Sequence, residues 1–80
     1  MKHERKDYEG IQDPSGKIPE DEPVFLLRSQ DAMAPQVVEI WALVAHSAGA
    51  KADIVEHAYE HAQLMRDWQA KHGSKIPDMP

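Results

Sequence analysis

Apolar positions along the chain follow three regimes, and the changes between them predict the elements. Residues 1–23 are polar, with only scattered large apolar side chains. Residues 24–27 are four consecutive apolar residues, and residues 31–72 carry apolar side chains at helical spacing. The first regime predicts an extended polar arm. Lys2 to Glu9 is almost all charged, with Tyr8 its single large apolar residue. Asp13-Pro14-Ser15-Gly16 is a turn signal, because proline presets φ and glycine accepts positive φ. Ile11 and Ile18 flank that turn and are placed to pin the arm to the body. Pro19 and Pro23 keep the backbone before the apolar run extended.

Val24-Phe25-Leu26-Leu27 is too short for a helix after Pro23, and its residue types suit a strand. The chain offers no sheet for it to join. The run is therefore expected either as an extended anchor across the helices or as a segment pairing with its copy in a second subunit. Helix one is expected from about Asp31 to Ala48, with Ser29 and Asp31 as N-cap candidates and Pro35 tolerated in the first turn. Its stripe is Met33, Val37, Ile40, Trp41, Val44, Ala45 and Ala48. Gly49 is its stop. After the link Ala50-Lys51, helix two runs from about Ala52 to His72 and stops at Gly73. Asp53 and Glu56 in its first turn and Lys71 and His72 in its last complement the helix dipole. Its stripe is Ile54, Val55, Ala58, Ala62, Met65 and Trp68, and both tryptophans read as core residues.

So short a link makes the helices antiparallel neighbours. The fold class is all-α: a two-helix hairpin over residues 24–73, with a short extended anchor at 24–30, an arm at 1–23 and a tail at 74–80 in which Ile76 and Met79 are docking candidates. Val38, Leu43, Leu64 and part of the Val24–Leu27 run are left over, and each large side chain kept from burial forgoes about 1.5–3 kcal/mol. A second copy, giving a homo-oligomeric four-helix-like bundle, is the simplest cover.

Eighty residues make one domain with a marginal core, since a chain this small buries only about 60% of its unfolded surface. The absence of cysteine removes disulfides, thiolate catalysis and cysteine-ligated zinc, and suggests a reducing compartment. No apolar run reaches the ~18–20 residues of a membrane span, and no signal-peptide core follows the charged N-terminus. A cytoplasmic protein with no membrane partner is expected. The net charge of −5 is spread along the chain, four Lys/Arg against seven Asp/Glu in residues 1–23 and five against seven in 24–80. Without a basic run, duplex nucleic acid is excluded as a partner. A small anionic ligand held by one arginine, or a protein partner, remains open.

The candidate chemistry gathers after the apolar run. Arg28 precedes Ser29, Gln30 and Asp31 at the start of helix one, where a guanidinium and free backbone N–H groups can converge on an anion. Gln30 can both donate to and accept from a base or ribose edge. The competing reading makes Arg28 structural, paired with Asp31 or Glu22. His57 and His61, four residues apart, share a helix face, a spacing that metals also use. The zinc-protease motif would need Glu after the first histidine, and Ala58 stands there. With no third ligand close by, no metal is expected, and the pair reads as solvated or partner-facing. His61 is also a candidate ligand contact. Trp41, Trp68 and Tyr8 are the candidates for stacking on a planar ligand, and packing is the better reading for the two tryptophans. Nothing resembles a Gly-rich phosphate loop or a nucleophile elbow, so neither enzyme activity nor a cofactor is expected.

Several stretches together carry a resemblance: Ile11-Gln12-Asp13-Pro14-Ser15-Gly16-Lys17-Ile18-Pro19, Asp21-Glu22-Pro23-Val24-Phe25-Leu26-Leu27-Arg28-Ser29-Gln30-Asp31, Ala34-Pro35, Trp41-Ala42 and Met65-Arg66-Asp67-Trp68. On these the chain resembles a group of small proteins common in tailed phages and prophages, whose members bring no activity to carry over. The resemblance implies a phage setting and the host cytoplasm. Small non-enzymatic phage proteins often act against host defence, by binding nucleotide second messengers or by blocking a protein complex. By that analogy the expected function is counter-defence through sequestering, without cleaving, a cyclic di- or oligonucleotide immune signal. Its ligand set would be Arg28, Ser29, Gln30, Asp31, Tyr8, Trp41 and His61. The alternative is an inhibitor or adaptor of a host defence protein, acting through the acidic surface in the manner of an anti-CRISPR.

Overall fold

Pro35 lies in the first turn of helix one, glycine follows both helices, and helix one starts later than apolar spacing suggests. The computed structural model describes residues 1–10 and 13–78. Helix α1 spans Ala34–Ser47 and α2 spans Ala52–His72. They pack against each other, and no strand occurs among the described residues. Helix α1 begins three residues later than Asp31. Met33 takes the N-cap position without a side-chain cap, and Pro35 lies in the first turn. Asp31 and Ala34 instead close a separate turn, Ala34 N donating to Asp31 O at 2.9 Å.

The far end of α1 is a Schellman stop. Gly49 has φ 92°, its N–H donates to His46 O at 3.0 Å, and Ala50 N donates to Ala45 O at 2.9 Å. A residue with a Cβ resists that left-handed conformation, which is why glycine ends the helix here. Ala48 to Lys51 then link directly into α2, whose limits match the expected ones.

The packed faces differ from the stripes of large residues. On α1 the packed line runs through Ala34, Val38, Ala42 and Ala45, with Pro35 also buried and Glu39 half-buried beside it; on α2 the covered positions are Val55, Ala58, Ala62, Met65 and Gln69. Ala34, Ala42 and Ala62 are fully buried. Small side chains let two helix axes approach closely, and that contact selects the alanine face. Trp41 is accordingly 54% and Trp68 41% exposed, so neither is a core residue. Val38 lies on the packed face and is not surplus, whereas Leu43 and Leu64 are exposed.

The chain divides into two compact units, Arg28–Pro77 and Met1–Leu27 with Asp78–Pro80. The second unit is not a simple extended arm. Lys2 N donates to Glu22 O at 2.9 Å, and Val24 N donates to Lys2 O at 2.7 Å. The N-terminal ammonium reaches Pro19 O at 2.6 Å, and Leu26 N donates to Glu4 Oε1 at 2.9 Å. The 24–27 run thus pairs with residues 2–4 of its own chain, and Phe25 between Val24 and Leu26 turns outward. A 3₁₀ turn at Lys6–Tyr8 follows. Ile18 is half-buried, and Ile76 at 72% exposure does not dock. Ile11 and Met79 lie outside the described residues.

Candidate functional site

The segment Arg28–Asp31 closes on itself before it meets the helices. Asp31 N donates to Arg28 O at 2.9 Å, and Arg28 N donates to Asp31 Oδ2 at 3.2 Å. This is the reciprocal logic of a capping box, shifted to a turn that precedes the helix. Asp31 serves as the acceptor within that turn and not as the N-cap of α1. It is 6% exposed, and its Oδ1 is buried with no hydrogen-bond partner. A buried carboxylate oxygen left unfilled is costly, because nothing replaces the water it gave up.

Four hydrogen bonds clip this segment to the end of α2 and the tail. Lys75 N donates to Gln30 O and Ala32 N to Lys75 O, each at 2.8 Å. Gln69 Nε2 donates to Ser29 O at 2.9 Å and to Asp31 O at 3.1 Å. Sequence reasoning missed both Gln69 and Lys75. A lone glutamine on a helix and a lysine after it carry no periodic signal, and the two Lys75 bonds to Gln30 and Ala32 run through backbone groups. The clasp sits where α1 starts and α2 ends, so it also fixes the helices as antiparallel.

Of the expected ligand residues, Arg28, Ser29, Gln30 and Asp31 come together by adjacency in this clasp. Arg28 is exposed, Ser29 and Gln30 half-buried. Trp41 lies seven residues into α1, about 10 Å from its start at 1.5 Å per residue, and His61 lies about 12 Å along α2 from Gln69 by the same rise. Both are exposed, and they belong to the middle of the hairpin. The tryptophan next to the clasp in sequence is Trp68, whose ring lies 4.5 Å from that of His72. Tyr8 belongs to the N-terminal unit, is 6% exposed, and has the Arg5 guanidinium 4.8 Å from its ring centroid. That face of its ring is already occupied.

Ion pairs at Arg5 and Arg66 organise charge elsewhere. Arg5 meets Asp7 at 2.8 Å and also donates to Asp78 O at 2.8 Å. The Asp7 hydrogen bond raises the Arg5 pKa. Arg66 on α2 pairs with Glu39 on α1, and that bond holds the Glu39 carboxyl below its ordinary value. Among the described residues no three His, Cys, Asp or Glu side chains gather closely enough to hold a metal. No helix among the described residues is long and apolar enough to cross a membrane. Comparison with protein-family models, curated proteins and solved structures finds no match, so the site is read from its own chemistry.

Proposed function

We propose that this chain is a phage counter-defence protein that binds and holds a small nucleotide immune signal, a cyclic di- or oligonucleotide, without cleaving it. The reading includes self-association into a homo-oligomer. What supports it is an exposed residue Arg28 on the same hydrogen-bonded clasp as the unfilled Oδ1 of Asp31. A forked guanidinium suits a phosphate, and an ionised carboxylate accepts only from donors such as the N–H groups of a base edge. A nucleotide supplies both kinds of group. The clasp already holds its backbone in place, so little ordering entropy remains to be lost on binding. The acidic balance is compatible with such a ligand, because one fixed arginine does not need a basic surface around it.

The test is a thermal-shift panel of cyclic nucleotides on the full chain. A raised melting temperature with one or more members, together with recovery of the nucleotide intact, supports sequestration. No shift with any member removes this reading and favours the inhibitor of a defence protein. A nucleotide that is bound but returned hydrolysed would make the protein an enzyme.

A further inference from the structure

Each helix carries two seams of side chains, and the hairpin uses one of them. On α2 the packed seam is Val55, Ala58, Ala62, Met65 and Gln69. One residue earlier at every step lie Ile54, His57, His61, Leu64 and Trp68, all exposed. Steps of three and four residues in alternation are the spacing of helices that pack along their length. On α1 the packed seam is 34, 38, 42 and 45, with the covered Pro35 and Glu39 on its far side, and one residue earlier at every step lie Met33, Val37, Trp41 and Val44, again exposed, with Ile40 between them.

A step back of one residue turns a helix position by about 100°. Viewed from its own N-terminus, each helix therefore shows its second seam displaced in the same sense from its first. The helices are antiparallel, so the same sense on each brings both second seams to one side of the hairpin. An independent contact checks this. Glu39 and Arg66 each lie one residue after a packed position, which puts them on the opposite side, and there they pair across the helices.

The geometry points to this two-seam face as the docking surface for a second copy of the same chain. Its eight large apolar side chains are between 37% and 61% exposed. At a full area of roughly 200 Å² each, they present on the order of 800 Å². That exceeds the ~300–600 Å² patch of an ordinary monomer and matches the ~800 Å² that each partner brings to a stable interface. The face is also self-compatible. Neither seam contains Lys, Arg, Asp or Glu, so two copies meet there without like-charge repulsion despite a net charge of −5 each. A twofold axis lying in the face and running across the helices would lay each helix antiparallel on its own copy, which brings His61, near the middle of α2, next to its equivalent. This deepens the self-association within the proposed function and does not depend on the ligand.

Light scattering on the full chain at micromolar concentration tests it. The expected mass is at least twice the 9.0 kDa of one chain. Ile40→Glu and Leu64→Glu, one on each seam, should give helical monomers. Leu43→Glu, equally exposed but on the Glu39 side, should keep the assembled mass. A wild-type chain that is monomeric at every concentration overturns the proposal and leaves the face to a different partner. So does dissociation by Leu43→Glu with both seam variants still assembled. If the glutamate variants unfold, cysteine replaces them as a probe, since the chain has none of its own. His61→Cys should then cross-link two chains on oxidation in the native state and His46→Cys should not; equal yields overturn the proposal. A monomer that still responds to a nucleotide loses the docking face alone, and an assembled protein that ignores every nucleotide loses the ligand reading alone.

Discussion

Gln69 holds Asp31 from across the hairpin, its side-chain Nε2 donating to the Asp31 carbonyl at 3.1 Å while its other hydrogen goes to Ser29 O at 2.9 Å. One side chain near the end of α2 thereby fixes the turn before α1, and with it the backbone that presents Arg28.

The first prediction follows from that bond. Gln69→Leu keeps the volume of the side chain but leaves two partly buried carbonyls without their donor. An unsatisfied group of this kind costs about 1–3 kcal/mol. Chemical denaturation of Gln69→Leu should show a loss in that range. Gln69→Glu should lose more, because it sets a carboxylate oxygen against the same two acceptors. Unchanged midpoints in both variants would mean that the Lys75 backbone bonds hold the clasp alone.

Sequence pattern located both helices, the glycine stops at Gly49 and Gly73 and the short link, because each rests on local backbone physics. It misjudged which face is buried. On α1 nearly every side is apolar, so the large residues Ile40, Trp41 and Val44 dominate a periodicity count, whereas axis-to-axis approach favours Ala34, Ala42 and Ala62. The surplus of apolar surface was legible, and so was its part at Leu43 and Leu64, whereas its extension over Ile40, Trp41 and Val44 was not. The Arg28–Asp31 cluster was legible as a run of polar side chains. Its support by Gln69 and Lys75 was hidden, since a single side-chain bond across 38 residues leaves no periodic trace. The arm was misread for the same reason: Lys2 and Val24 meet through backbone groups, to which side-chain composition is blind.

The Glu39–Arg66 pair predicts a pH effect with a definite sign. The Arg66 hydrogen bond depresses the Glu39 carboxyl in the folded chain below its ordinary 4.5. A depressed carboxyl contributes stability that is present above the unfolded value and is lost as pH falls through the folded one. The melting temperature of wild type should therefore exceed that of Glu39→Gln at neutral pH, and the gap should close as pH falls below the ordinary carboxyl value and through the lowered folded one. Both groups are near the surface, so added salt should narrow the gap as well. A gap that is constant from neutral to acid pH would show that the pair contributes nothing through charge.

Asp31 separates fold from ligand. Its Oδ2 accepts from Arg28 N, and its Oδ1 has no partner. Asp31→Asn retains one oxygen for Arg28 and removes a buried charge, so the free protein should melt at or above the wild-type temperature. Asp31→Ala leaves the Arg28 N–H unsatisfied and should cost about 1–3 kcal/mol. If Oδ1 receives a donor from a nucleotide, asparagine offers an amide N–H₂ where an acceptor is required, and the ligand-induced shift should vanish although the fold is intact. A full ligand response in Asp31→Asn would remove Asp31 from the site.

Arg28 is the decisive position, and two substitutions separate its possible roles. A guanidinium that binds a ligand phosphate gives most of its bonding to an acceptor that the free protein lacks, so its loss should leave the melting temperature nearly unchanged. Hydrogen bonds to charged groups contribute about 1.5–3 kcal/mol, which corresponds to at least a tenfold weaker nucleotide complex in Arg28→Ala. Arg28→Lys keeps the charge but cannot reproduce the planar two-pronged donor, so it too should weaken binding, though less than alanine does. The backbone bonds of Arg28 to Asp31 survive both changes, and the clasp should persist. A melting temperature lowered by several degrees in both variants, with nucleotide response falling only in proportion to folded protein, would make Arg28 a scaffold residue and end the case for a phosphate site at this loop.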